Sequence, residues 1–411
     1  MKRLLKVGCI MAISAALVLS GCGNRASDSG SQSNQGAQGA PQQTPAASGS
    51  SPSPKQDEPV TLNVATAGDT NMEELQTQKV GPLFTKQYPN VKLNVVGTGP
   101  GDAGSEKIYS KLKAQKDAGK DEWDIDVAIV HQSIMAQMME EGLLEQYVPA
   151  SANRQYVTSS DSRNSLGVNV DGYVIPLFHS QVAIAYNPDK VQQMPQNFEE
   201  LVAWIKANPK RFGYNGIKNG MSGVAFVTAY TYWRSGDYKQ LVAGPFDEKL
   251  EEKWPDIIKE LKSLPVTYTN GNNGTLDMLN RGEIDMGPVW VDMFLTWKAE
   301  GRMNPNNRMK IIDPGLPGQP MYVVVPKNAK NKEWAIKFAD FLTSPEIQAS
   351  VIVEQMGWYP GINVAPVLPL VSEEARKNLF TDISAEDLAQ RVLEFPLVQY
   401  LKDLQTAYER Y

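Results

Sequence analysis

Few residues in this chain are of types that do chemistry at a cleft, and those few sit beside strand ends. His131 and His179 are the only two histidines in 411 residues. His131 closes the run Val130-His131-Gln132, and His179 lies in Pro176-Leu177-Phe178-His179-Ser180-Gln181, between apolar stretches. A polar side chain placed directly after a buried strand points to the edge of a sheet, where α/β proteins bind ligands. A single histidine is more often a satisfied structural side chain, but two at strand ends favour a cleft. Asp69 and Asn71 follow another apolar run, in Ala67-Gly68-Asp69-Thr70-Asn71, and each also suits a helix N-cap. Gly97-Thr98-Gly99-Pro100-Gly101-Asp102-Ala103-Gly104-Ser105 is glycine-rich and precedes a helical pattern. Such a loop leaves backbone amides free for an anion or hydroxyl, which makes Gly101, Asp102 and Ser105 candidates for contact. It is not a P-loop, since no Lys-Ser or Lys-Thr follows, and Asp102 replaces the last glycine of a dinucleotide fingerprint. Trp290 and Trp358 lie next to Gly/Pro breaks and could form walls for a flat ligand.

No nucleophile signature of the Ser-His-Asp or Cys-His kind is present. There is no HExxH and no tight His/carboxylate cluster, so neither a metal nor a cofactor is expected. The many acids leave a carboxylate-dependent hydrolase as the alternative reading.

These positions need a scaffold, and the pattern supplies one. Apolar, β-rich runs fall at Thr61–Ala67, Val91–Gly97, Ile125–Val130, Tyr173–Leu177, Ala183–Asn187 and Met321–Pro326. Helical periodicity fills the gaps at Met72–Tyr88, Ser105–Ala118, Ile134–Gly142, Phe198–Asn208, Trp254–Leu264, Leu276–Gly282 and Lys332–Leu342. Strand–helix alternation predicts an α/β fold with mainly parallel or mixed sheets. About 350 residues follow the N-terminal region, more than one core usually holds, so two lobes are expected. Tyr230, Tyr232 and Trp233 share a helical segment, and spacing assigns them to the core. The formal net charge of -6 gives no support for nucleic-acid binding, and no later run is long and apolar enough to cross a bilayer.

The N-terminus reads as a targeting segment. Lys2, Arg3 and Lys6 precede an apolar run, Val7–Leu19, which ends in Leu19-Ser20-Gly21-Cys22. That quartet resembles the lipobox of bacterial lipoproteins, with Cys22 as the lipidated residue after removal of 1–21. The other cysteine, Cys9, lies in the removed segment, so no internal disulfide is expected. Residues 22–58 are rich in Ser, Gly, Gln, Ala and Pro and read as a flexible tether. A tether of this length reaches roughly 30 Å.

Four stretches in order resemble the extracellular solute-binding proteins of ABC importers, the group that includes maltose-binding protein. They are WDIDVAIVHQSIMAQMMEEGLLEQYVP, DGYVIPLFHSQVAIAYNPDKV, LNRGEIDMGPVWVDMFLTW and PMYVVVPKNAKNKEWAIKFADFLTSPEIQ. The likeness runs from about Val60 to Val364. It implies a type II periplasmic-binding-protein fold, two α/β lobes joined by two or three hinge crossovers and closing over one solute. The second stretch resembles the first crossover and the third stretch the second. The implied ranges are 59–178 plus about 290–345 for the first lobe, and 179–289 plus about 346–411 for the second. The resemblance carries cleft roles to His131 and Gln132, to His179, Ser180 and Gln181, to Trp290 and Asp292, and to Asp69. With Asn71, Gly101, Asp102, Ser105, Ser222 and Trp358, these form the candidate ligand-binding set. The segments GTGPGDAGSEKIYSKL and NPKRFGYNG are similar to a subgroup related to thiamine- and polyamine-binding proteins. The implied partners are a small polar solute (a carbohydrate, thiamine-like compound, polyamine or phosphorylated compound), an ABC permease and the membrane through a lipid anchor. The glycine-rich second loop departs from maltose-binding protein and weighs against a sugar. The adjacent tyrosine pair of ferric-ion binders is absent. The implied state is an extracytoplasmic monomer without a chemical step. A sensor that presents its ligand to a membrane receptor is a further alternative.

Overall fold

In the computed structural model, residues 58–411 are described, apart from Asn219 and the side chains of Ala385, Glu386 and Ala389. The expected signal segment, Cys22 and most of the tether lie outside the described residues.

The first three strands carry β-branched and apolar residues and pair in parallel. They are β1 (Val60–Ala67), β2 (Val91–Gly99) and β3 (Val127–His131). β1 lies between the other two, with Ala67 opposite Gly99 and Thr66 opposite Ile129. All five residues of β3 are buried, as a strand covered on both faces requires. α1 (Gly101–Asp117) is the crossover from β2 towards β3 and packs on all three strands. The parallel register brings the ends of these strands, with Asp69, Gly101 and His131, to one edge of the sheet.

One strand then leaves this lobe. β4 (Ile175–Tyr186) is a single strand of 12 residues, where the sequence suggested two. Its first half pairs antiparallel with β7 (Leu316–Val324), from Ile175 opposite Val323 to Gln181 opposite Gly318. Its second half pairs with β5 (Met286–Trp290), from Val182 opposite Trp290 to Tyr186 opposite Met286. A third strand, β6 (Arg308–Lys310), covers the end of β4. The polar stretch His179-Ser180-Gln181 does not end the strand, because its backbone stays in the ladder and His179 and Ser180 find side-chain partners.

Apolar side chains gather in separate cores. One contains Leu62, Val64, Phe84, Val127, Leu177, Val323, Phe338 and Ile352. A second, on the other face of the same sheet, contains Ala65, Ile108, Leu112, Ala128, Val130 and Met135. The third contains Val182 to Ala185, Phe198, Phe226, Tyr230, Val289, Phe294, Ile312 and Tyr400. Here α2 (Met221–Ser235) is buried along 12 of its residues, which confirms a core place for Tyr230 and Tyr232, while Trp233 is half-buried.

The cores divide the chain differently from the implied lobe ranges. Val291 to Ile312 pack in the third core, and Ile347 to Leu379 pack in the first. The reason is connectivity. β5 runs on into α3 (Val291–Ala299) on the same side of the molecule, so LNRGEIDMGPVWVDMFLTW is not a crossover. The return passage is β7, whose Leu316 belongs to the third core and whose Val323 belongs to the first. A last passage lies between Leu379 and Ile383.

Because β4 serves both sides, its packing should be costly to disturb. Ile184 is fully buried in the third core. Ile184→Ala is expected to cost about 2–5 kcal/mol, read as a lower urea midpoint with unchanged slope.

Candidate solute site between the lobes

Where β1, β3, β4 and β5 end or pass, a cavity of about 50 Å3 remains. Seven of the expected residues line it: Asp69, Asn71, Gly101, His131, Ser180, Trp290 and Asp292. Met72, Met221, Met293, Met321 and Phe178 supply apolar walls, and Gln319 adds an amide. No lysine or arginine is among the lining residues. At roughly 10–15 Å3 for each water-sized group, the space holds only a few heavy atoms.

The polar frame is reciprocal. Asp292, at the start of α3, receives Ser180 Oγ–H at 2.6 Å and Asn71 Nδ2–H at 3.1 Å. Asp69, in the loop after β1, receives Asn273 Nδ2–H at 3.4 Å. Each carboxylate thus takes an asparagine amide from the opposite lobe. Behind Asp292, Trp358 donates its indole N–H to the Asp292 carbonyl at 3.1 Å and lies against Phe178, with ring centroids 4.4 Å apart. Asn272 accepts the backbone N–H of Trp290 at 2.8 Å, which sets the turn from β5 into α3.

The electrostatics follow from burial. Burial, and then the charge of Asp292, push the Asp69 carboxyl up to about 6. Burial also raises Asp292, against the lowering effect of Ser180 and Asn71. Burial lowers His131, with the charge of Asp102 opposing, so its imidazole is neutral at pH 7. Gln319 is buried and its Oε1 has no hydrogen-bond partner. The cavity is therefore rich in acceptors and has no cation of its own.

Backbone approach completes it. Gly101 has φ +63° and Gly220 φ +148°, both in the region that favours glycine. A Cβ on Gly101 would stand 3.3 Å from Gly220 Cα, so the two lobes meet there backbone to backbone.

Residues 66–349 match the family of bacterial extracellular solute-binding proteins. This chain belongs to that family. The putrescine-binding periplasmic protein SpuD of Pseudomonas aeruginosa is 25% identical over 297 residues, 69% of this chain and 77% of that protein. The periplasmic binding protein AfuA of Actinobacillus pleuropneumoniae, with fructose-6-phosphate bound, has a TM-score of 0.60 at 18% identity, covering 85% of this chain and 98% of that one. A periplasmic thiamin binding protein has a TM-score of 0.57 at 19% identity, covering 88% of this chain and 99% of that one. The fold is the two-lobe, type II periplasmic-binding-protein fold.

In this solute-binding protein some expected residues stand elsewhere. Ser105 is fully buried behind the cavity, where its Oγ lies 3.1 Å from His131 Nδ1 and accepts the His131 backbone N–H at 3.0 Å. It positions the imidazole. Trp358 is likewise a support and not a wall. Asp102 accepts Ser133 Oγ–H, and Ser222 donates to Asn215 Oδ1 at 3.1 Å; neither lines the cavity. Gln132 also lies outside it, because β3 ends at His131 and the chain turns away. His179 and Gln181 point to the opposite face of β4 from Ser180, as strand alternation demands. Four methionines, Phe178 and Gln319 were not legible as site residues. The one hint was a glutamine inside an otherwise apolar strand.

His179 has its own role. Its Nδ1 is 3.1 Å from the Pro360 carbonyl and its Nε2 2.8 Å from Asp161 Oδ2, so the doubly protonated ring satisfies both. Burial pulls His179 down, but the hydrogen bond and charge of Asp161 outweigh it and raise its pKa. Burial pushes Asp161 up, and His179 outweighs that in turn, leaving it lowered. The histidine part of the stabilisation is complete below its ordinary value of 6.5 and is lost as pH rises through the raised folded value. The aspartate part is complete above 3.8 and is lost as pH falls through the depressed one. The thermal midpoint should therefore fall between about pH 5 and about pH 9, and His179→Gln should flatten that slope.

Proposed function

We propose that this solute-binding protein captures a small organic cation, an amine, by closing its lobes over it. The observation that carries the reading is the pair of buried carboxylates, Asp69 and Asp292, presented from opposite lobes to a cavity without lysine or arginine. Two such groups repel when both are ionised, and a cation between them removes the repulsion. An ammonium donates to the carboxylates and to Gln319 Oε1, while its carbon atoms meet the methionines and Trp290. The names of putrescine- and spermidine/putrescine-binding relatives support the same chemistry.

Closure is rotation about β4, β7 and the segment between Leu379 and Ile383. Shutting the cleft excludes water and strengthens each charge-assisted hydrogen bond. The closed form then docks on an ABC permease and releases the solute unchanged. Cys22 holds the protein at the outer face of the membrane, with the tether as spacer.

In titration calorimetry against short mono- and diamines, sugars, sugar phosphates and thiamine, only cations should bind. Asp292→Asn should weaken the best of them by about 10–100-fold, from the loss of a charged hydrogen bond. Affinity should fall as pH drops through about 6, because a proton on Asp69 competes with the cation. Tight binding of an anion, or no response to Asp292→Asn, would contradict the reading. For the anchor, Cys22→Ala should move the protein from the membrane fraction to the soluble one, and retention on the membrane would count against lipidation.

A further inference from the structure

A second cavity, of about 1190 Å3, lies on the other face of the β4–β7 pair. Its polar floor is His179, Asp161 and Gln181, the face of β4 turned away from Ser180. Its walls are apolar and come from both sides of the molecule: Val364 and Leu368 on one side, Phe246, Leu388, Val392 and Leu397 on the other. Phe246, Val364 and Val392 are 43%, 48% and 37% exposed, unusual for side chains of their size. Small-molecule pockets are usually ~300–1,000 Å3, so this one is ample for a bulky ligand.

Its charge is one-sided. Among the described lining residues the carboxylates are Asp161 and Glu394, and no lysine or arginine is present. His179 is the one basic group, and Asp161 and Pro360 already occupy both its ring nitrogens. Glu394 is exposed at the rim. The rings of Tyr359, Phe380 and Phe395 also face this space and favour a cation through their π faces. An anionic amphiphile finds no counter-charge here.

We propose that this rear cavity is a second binding site, for a lipophilic organic cation with a bulky apolar body. It is distinct from the small cavity between Asp69 and Asp292, whose volume excludes such a ligand. Because both lobes form its walls, an occupant also opposes the rotation that opens the front cleft.

The test uses tetraphenylphosphonium and its isosteric anion tetraphenylborate, titrated into the full chain by calorimetry. Tetraphenylphosphonium should bind saturably at one site, and tetraphenylborate at least ~tenfold more weakly, since shape is equal and only the charge differs. Val364→Lys puts a positive charge at an exposed rim position and should weaken the phosphonium by ~tenfold, with Glu394→Gln acting in the same direction. Asp69→Asn, at the front cavity, should leave it unchanged. The proposal is overturned by absence of saturable binding, by equal affinity for the borate, by indifference to both rim substitutions, or by loss of binding in Asp69→Asn.

Discussion

Two carboxylates facing each other from opposite lobes are the constraint to which the rest of the junction answers. Left alone, Asp69 and Asp292 would push the lobes apart, and their burial raises the cost. Each is met by an asparagine of the other lobe, Asn273 and Asn71. Ser180, on the strand shared by both lobes, adds a third donor, and Trp358 fixes the backbone behind it. Neutral amides offset part of the repulsion without cancelling the charge. What they leave over is an appetite for a positive group, so structure and selectivity come from the same atoms.

The mixture of rigid and adaptable parts fits that view. The carboxylates are fixed by short contacts to strand and helix termini, which hold geometry better than loops. Around them stand four methionines, whose unbranched side chains adjust to the contour of a ligand. Charge recognition is thus built on the firm elements and shape recognition on the soft ones. The relatives of known fold, with ligands as unlike as thiamin and a sugar phosphate in their names, accord with a conserved frame and an exchangeable lining.

Much of the frame was legible from residue order. The runs at Thr61–Ala67 and Val91–Gly97 are strands because their side chains repeat as buried parallel strands do. Asp69, His131 and Trp290 were found by their place after such runs. The His179-Ser180-Gln181 segment was read as a break and as one site, yet it continues a strand and faces two ways. Polarity marked the segment as special, while the period of two, which decides the face, needs the register of the pairing. Ser105 and Trp358 were drawn to the site by their neighbours but act from behind it, a distinction of depth that linear order does not hold. The methionines escaped because an apolar side chain carries no sign of whether its neighbour is a core or a ligand. Lobe membership after residue 290 failed for a different reason: β5 and α3 stay on one side, and only contact partners reveal that.

β4 carries neighbouring residues to separate tasks. Ser180 serves the front, and His179 and Gln181 the rear, with the backbone shared. A deletion or insertion of a single codon in this stretch would exchange the two faces, sending an imidazole towards Asp292 and a hydroxyl towards Asp161. Drift in solute preference must therefore proceed by replacement at fixed length along this strand, whereas the loops at either end are free to grow or shrink.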